Sequence, residues 1–156
     1  MSLKYSFATL KNLNELLTLN EAFDLFREII DIKKYDINRK KSNANNKKYL
    51  IEDLKKRSIK YIICKKGDDA IAYISFGYST IYKSEGGIHE LYVLPKERKQ
   101  GIANQLIEMA MNWLKQKNCT NIDLYVDINN KLAYKIYKKL GFAKEKQEGF
   151  SMYKKI

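Results

Sequence analysis

A chain of 156 residues, 45% hydrophobic and 31% charged, has the size and balance of one globular domain (residues 1–156) with a substantial core. No stretch nears the ~20 apolar residues that cross a bilayer, and MSLKYSF at the start has no secretory apolar segment, so a cytoplasmic protein without membrane attachment is expected. The net charge of +12 calls for an anionic partner, yet the lysine pairs (Lys33-Lys34, Lys47-Lys48, Lys65-Lys66, Lys138-Lys139) are scattered, which favours a solvated basic surface over a nucleic-acid face.

Two isolated cysteines, Cys64 and Cys119, exclude a disulfide framework, and a single histidine argues against a metal centre; no metal is expected. In chain order, Tyr5–Ala8 alternates as a first strand. Asn12 or Asn14 can cap a helix carrying Leu13, Leu16, Leu17, Phe23, Phe26 and Ile30, with a bend near Asn20. Residues 36–46 read as a polar loop, and 46–57 as a short amphipathic helix. Ile59–Lys65 and Ala70–Tyr78 form a hairpin across Lys66-Gly67-Asp68, with Gly77 as a bulge or point of close approach. Glu85-Gly86-Gly87 reads as a turn before the strand Ile88–Leu94.

That strand runs into Pro95, a basic turn and Gly101, and then a helix with Ile102, Leu106, Met109, Ala110, Trp113 and Leu114 on one face. Asn118 stops it. Ile122–Asp127 is a strand. A helix capped by Asn129 or Asn130 follows, with Leu132, Ala133, Ile136, Tyr137 and Leu140 on its apolar side and Gly141 at its end. Residues 142–146 and 150–155 alternate as a last antiparallel pair. The order β-αα-βββ-α-β-α-ββ implies an α/β (α+β) fold, a mixed sheet with helices on both faces. The strand–turn–helix at 88–106 points backbone N–H groups at one spot beside the positive end of a helix dipole, a ready phosphate site.

Two segments together resemble the GNAT superfamily of acetyl-CoA-dependent N-acetyltransferases. LYVLPKERKQGIA fits V-x-P-x-x-(Q/R)-x-x-G-x-(G/A) with Val93, Pro95, Arg98, Gly101 and Ala103, where many members have a second glycine in place of Ala103. NKLAYKIYKKLGF fits N-x-x-A-x-x-x-Y-x-x-x-G-F with Asn130, Ala133, Tyr137, Gly141 and Phe142. The resemblance implies a mostly antiparallel sheet of about six to seven strands and acetyl-CoA as cosubstrate. It also implies a coenzyme site at Leu91, Tyr92, Val93, Arg98, Lys99, Gln100, Gly101, Ile102, Ala103, Asn104, Asn130, Ala133 and Tyr137. In the family the strand Ile88–Leu94 splays from Ile122–Asp127 to admit the pantetheine arm. Backbone groups of Leu91 and Val93 bind that arm, and an N–H near Leu91 polarises the thioester.

Transfer to an amine needs a base to deprotonate an ammonium group, and an acid for the leaving thiolate. The resemblance makes Tyr137 the acid candidate, against the alternative of a core tyrosine; Tyr134 competes one turn earlier. His89 and Glu90 are base candidates. Neighbours on a strand face opposite sides, so both reach one cleft only across a bulge, and His89 is expected to share a face with Leu91 and Val93. IHELYVLP is similar to the strand of small-amine and aminoglycoside acetyltransferases. The expected acceptor is therefore a small primary amine (polyamine, amino sugar or aminoglycoside), provided acids such as Asp36, Glu85, Glu90 and Asp127 offset the basic surface. A protein N-terminus or lysine is the second acceptor class. A coenzyme A-binding or nucleic-acid-binding module without catalysis is the non-enzyme alternative, and a homodimer stays open.

Overall fold

In a computed structural model, residues 2–30, 42–82 and 84–144 are described. The chain forms two compact units, Met1–Tyr125 and Val126–Ile156. In the first, the described residues form a five-stranded sheet in the order β1-β2-β3-β4-β5. The strands are β1 (Leu3–Phe7), β2 (Ile59–Lys66), β3 (Asp69–Tyr78), β4 (Glu85–Val93) and β5 (Asn121–Leu124). β1 through β4 pair antiparallel and β4–β5 is parallel, so the mixed, mostly antiparallel architecture stands. The expected final strand pair falls on residues 142–155, of which 145–155 lie outside the described residues; Phe142–Lys144 has no strand structure.

Helices α1 (Leu13–Ile30) and α2 (Ser42–Lys55) cover one sheet face. Leu16, Leu19 and Leu50 pack there against Tyr61, Ile63, Tyr73 and Tyr92. Helix α3 (Ile102–Gln116) covers the other, burying Ile102, Leu106, Ile107, Ala110 and Leu114, with Trp113 edge-on to Phe76 at 5.5 Å. Each large aliphatic side chain so buried contributes about 1.5–3 kcal/mol. Strand alternation fixes the division: Tyr73 and Ser75 point to α1 and α2, Ile74 and Phe76 to α3.

Several boundaries differ from expectation, each for a local reason. The cap before α1 is Thr9, not Asn12 or Asn14. Its Oγ1 accepts from the Lys11 N–H and its N–H donates to Asn12 Oδ1 (3.1 Å), a reciprocal box around the 3-10 turn Leu10–Asn12. α2 begins at Ser42, inside the span read as loop, while residues 36–41 lie outside the described ones. Glu85-Gly86-Gly87 is strand, not turn. A Cβ at Gly86 would come within 2.9 Å of Leu114 Cδ2, so this glycine serves close helix packing. β5 stops at Leu124, three residues short of the expected Asp127.

The second unit contains α4 (Lys131–Lys139), capped by Asn130, whose Oδ1 accepts from the Ala133 N–H at 3.1 Å. The chain leaves it through Gly141 at φ +89°, the left-handed stop expected there. Among the described residues no helix is long and apolar enough to cross a membrane.

Candidate active site

The site begins where β4 loses a neighbour. β3 pairs with β4 from Gly86 to Val93, but β5 pairs with it only from Glu85 to Ile88. Among the described residues, His89–Val93 therefore has no strand on the β5 side. Leu94 N–H donates toward β3, to the Ile71 carbonyl (3.0 Å). Alternation then directs the peptide groups of Leu91 and Val93 toward the open edge. Those of Tyr92 are spent in the ladder, and its ring packs under Phe23 (5.4 Å) and Phe26 (6.0 Å).

Beyond this edge the chain turns through Pro95–Glu97 into α3. Lys99 (φ +64°) and Gly101 (φ +79°) both adopt the left-handed conformation. Gly101 is the N-cap of α3, no side chain caps that end, and no acidic residue stands in its first turn. The first intrahelical bond from this end is Gln105 N–H to the Gly101 carbonyl, so the N–H groups of Ile102, Ala103 and Asn104 point outward without helical acceptors. Left-handed residues leading into free N–H groups at a dipole's positive end form an anion cradle.

Side chains brace this turn. Glu97, buried, takes Lys66 Nζ (3.0 Å) and Gln100 Nε2 (3.1 Å) on one oxygen, and these donors hold its carboxyl below the usual range. Gln100, an exposed residue, thereby has its amide engaged by Glu97. Arg98, expected to add charge for phosphate, has its guanidinium over Phe26 (4.5 Å) and Tyr92 (5.9 Å), with Nε on the Val93 carbonyl at 3.0 Å. It fastens the turn to α1 and occupies one carbonyl of the open edge. Lys99, next to it, stays exposed.

On the α1/α2 face, the register between β3 and β4 shifts by one residue: Phe76 pairs with Ile88 and Ser75 with Glu90, skipping His89. This bulge reverses the expected placement of His89. Leu91 and Val93 face α3 opposite Ile74 and Ala72, whereas His89 and Glu90 both emerge on the α1/α2 face. The imidazole lies on a floor of two paired glycines: a Cβ at Gly77 would be 3.3 Å from His89 Nε2, and one at Gly87 would be 3.4 Å from Cε1. A Cβ at Gly77 would also strike the Ser58 carbonyl at 2.5 Å, so Gly77 is the expected close-approach point. Partial burial holds the His89 pKa below its ordinary value, with Asp123 and Asp53 opposing that shift.

Glu90 is more enclosed. Its Oε2 accepts from Tyr73 Oη (2.9 Å) and from Asn20 Nδ2 (3.3 Å). Burial pushes its carboxyl pKa up; the Tyr73 hydrogen bond and the Arg27 charge pull against this, and Asp24 adds to it. Tyr61 donates to Asp53 Oδ2 at 3.3 Å beside this cluster. Among the described residues of the first unit, the acids whose charges act on His89 and Glu90 are Asp24, Asp53 and Asp123, none of them among the expected ones, of which Glu90 itself belongs to the cluster. Asp36 lies outside the described residues, and Glu85 is exposed at the start of β4. Asp127 belongs to the second unit, where Oδ1 accepts the Asn129 N–H at 2.7 Å.

Asn20, Tyr73, Asp53 and Asp123 were not singled out from the sequence. Only Asn20 left a trace there, as an amide between Leu16 and Phe23 on an otherwise apolar helix face.

In the second unit Tyr137 is buried, edge-on to Phe142 at 5.5 Å, and burial pushes its pKa up to about 12. Tyr134 is 40% exposed under the Lys144 ammonium, so Tyr137 is the enclosed phenol of the two. The Asn130 side-chain oxygen is committed to its cap. Among the described residues no three of His, Cys, Asp and Glu group as metal ligands.

The family model described as Acetyltransferase (GNAT) family matches residues 21–142. An aminoglycoside N(6')-acetyltransferase type 1 of Acinetobacter haemolyticus is 38% identical over 57 residues, 36% of this chain and 39% of that protein. An N-alpha-acetyltransferase of Saccharolobus solfataricus is 30% identical over 108 residues, 63% of this chain and 65% of that protein. The matches thus span less than two thirds of either relative's length. Among solved structures, the PaiA N-acetyltransferase of Thermoplasma acidophilum in complex with coenzyme A superposes with TM-score 0.78. That match covers 96% of this chain and 94% of the other; at 18% identity it is a likeness of fold.

Proposed function

The chain belongs to the acetyltransferase (GNAT) family, and from that premise we propose that it moves the acetyl group of acetyl-CoA to a primary amine of a small molecule. The observation that carries this reading is the open β4 edge running directly into the uncapped N-terminus of α3. An extended amide-bearing arm that ends in a diphosphate needs that sequence of groups: edge peptides, then a cradle of N–H donors. The family match from 21 to 142 includes residues of both compact units, which supports one acetyltransferase domain.

In this reading the coenzyme supplies the acetyl group as an activated thioester, and the protein supplies the rest. The Leu91 peptide and the Val93 N–H bind the arm, since the Val93 carbonyl already serves Arg98. The N–H groups of Ile102, Ala103 and Asn104 bind the diphosphate, and Lys99 adds charge. The Leu91 N–H polarises the thioester carbonyl. His89 or Glu90 takes the proton of the acceptor ammonium. Tyr137, fully protonated at neutral pH with its pKa at about 12, gives a proton to the departing thiolate.

The preference for a small cationic acceptor rests on the carboxyls of Glu90 and Asp123 beside His89, since Asp24 and Asp53 already face Arg27 (3.9 Å) and Lys56 (2.8 Å). On a chain of net charge +12 these two carboxyls offer an ammonium group local attraction. The test is a panel of polyamines, amino sugars, aminoglycosides and N-terminal peptides with acetyl-CoA, read as free thiol. Turnover restricted to peptides overturns the acceptor assignment. No thiol release with any amine overturns the activity.

A further inference from the structure

We infer that Tyr73 and Asn20 are positioning residues that hold Glu90, rather than His89, as the group receiving the acceptor's proton. The inference deepens the acetyl-transfer reading and rests on it. Both donors fall on one oxygen of Glu90: Tyr73 Oη at 2.9 Å and Asn20 Nδ2 at 3.3 Å, both on Oε2. Asn20 Nδ2 also lies 3.1 Å from Tyr73 Oη, closing a three-membered ring of contacts. Among the described residues no donor is bonded to Oε1, which is thus the oxygen presented to an ammonium group.

The polarity of the ring is set from outside it. Asn46 Nδ2, on α2, donates to Asn20 Oδ1 at 3.5 Å. That contact directs the Asn20 amide oxygen to α2 and its NH₂ to Glu90. Were the amide reversed, two acceptors would face each other across 3.3 Å. Tyr73 is buried among α1 and β2 side chains, stacked on Tyr61 and edge-on to Phe23, so its hydroxyl has a fixed direction. A carboxylate held by two oriented donors is a preorganised base. His89, by contrast, is only partly covered at the bulge, and among the described residues no protein hydrogen bond orients its ring.

The groups facing Glu90 come from five elements: Asp24 and Arg27 on α1, Asp53 on α2 through Tyr61 on β2, Tyr73 on β3, and His89 beside it on β4. Burial raises its pKa and the Tyr73 and Asn20 donors lower it, so the two residues tune as well as aim the carboxyl.

Two measurements separate this inference from the reading beneath it. The first is a carboxyl-¹³C glutamate NMR titration of the free protein, with the Glu90 signal assigned by its loss in Glu90→Gln. The second is the pH profile of kcat/KM for the amine. In Tyr73→Phe and in Asn20→Ser, Glu90 should titrate at higher pH, and the acidic limb of the profile should move up with it. Rates below the limb should fall about tenfold, the size of one charge-assisted hydrogen bond, with KM for acetyl-CoA unchanged. His89→Ala should leave the limb in place. A substrate amine's own ionisation would not follow a buried tyrosine, so a moving limb identifies Glu90. An unmoved Glu90 titration in both variants, a fixed limb despite a moved titration, or a limb lost in His89→Ala each overturns the inference while acetyl transfer stands. No thiol release with any amine, the titration still moving, overturns the acetyl-transfer reading and the catalytic role with it.

Discussion

The two ends of β4 solve different problems by different means. Toward α3 the protein works with backbone: open-edge peptides, two left-handed residues and the free N–H groups of one helix terminus. Toward α1 and α2 it works with side chains, Asn20 on α1 and Tyr73 on β3 donating to one carboxylate. A backbone cradle tolerates most side chains, so it suits a constant partner such as a coenzyme. A side-chain enclosure can change residue by residue, so it suits the part of a site that selects an acceptor.

The contrast can be broken most severely at Glu90. Glu90→Gln should reduce turnover about 100-fold or more with coenzyme binding intact, because the amide can still accept from Tyr73 and Asn20. Its stability should not fall at pH 7. A carboxyl whose pKa is raised on folding contributes stability below the ordinary carboxylate pKa, and that contribution is lost as pH rises through the folded value. The permanently neutral amide avoids that loss, so thermal melts should show an equal or higher Tm at pH 7 and convergence with the parent in acid. A lower Tm at pH 7 would mean that Glu90 is structural.

At the other end, Gly101→Val should weaken coenzyme binding about tenfold or more, since a β-branched residue at φ +79° is strained and shifts the cradle. No neighbour lies within 4 Å of the added Cβ, so the effect should appear in acetyl-CoA affinity by calorimetry, with amine KM unchanged. Unaltered affinity would remove the turn from the coenzyme site.

Tyr137→Phe should lower kcat severalfold with both KM values held, in stopped-flow thiol release; full activity would leave Tyr137 a core residue. The smallest effect is expected at Asp123→Asn. The Asp123 charge supports the imidazolium of His89, so its removal should shift the His89 titration to lower pH. The chain has one histidine, and proton NMR reads it without ambiguity. An unmoved titration would show that the glycine floor leaves the two groups uncoupled.

How much was legible beforehand follows the same division. Pro95, Gly101 and the helix after them declared the cradle, because left-handed and proline conformations are written in single residue types. The stretch Glu85-Gly86-Gly87 misled for the same reason: glycine also serves close packing, and only Leu114 lying over Gly86 distinguishes that use from a turn. Thr9 capped α1 where two asparagines stood nearer, since the cap depends on where a preceding 3-10 turn begins.

The sequence by itself determined the order of elements from β1 to α4, the family and the turn through Gly101 into α3, all of which rest on short-range backbone preferences, periodicity and motif spacing. Only the tertiary structure decided the placement of His89 and Glu90. One skipped residue in the β3–β4 register turns His89 to the α1/α2 face beside Glu90. Strand parity makes that outcome all-or-none, and register belongs to the pair of strands rather than to either one. Likewise Asn20 and Tyr73, separated by 53 positions, become partners of one carboxylate only when α1 lies across β3, a juxtaposition set by burial of their apolar neighbours and invisible in local spacing.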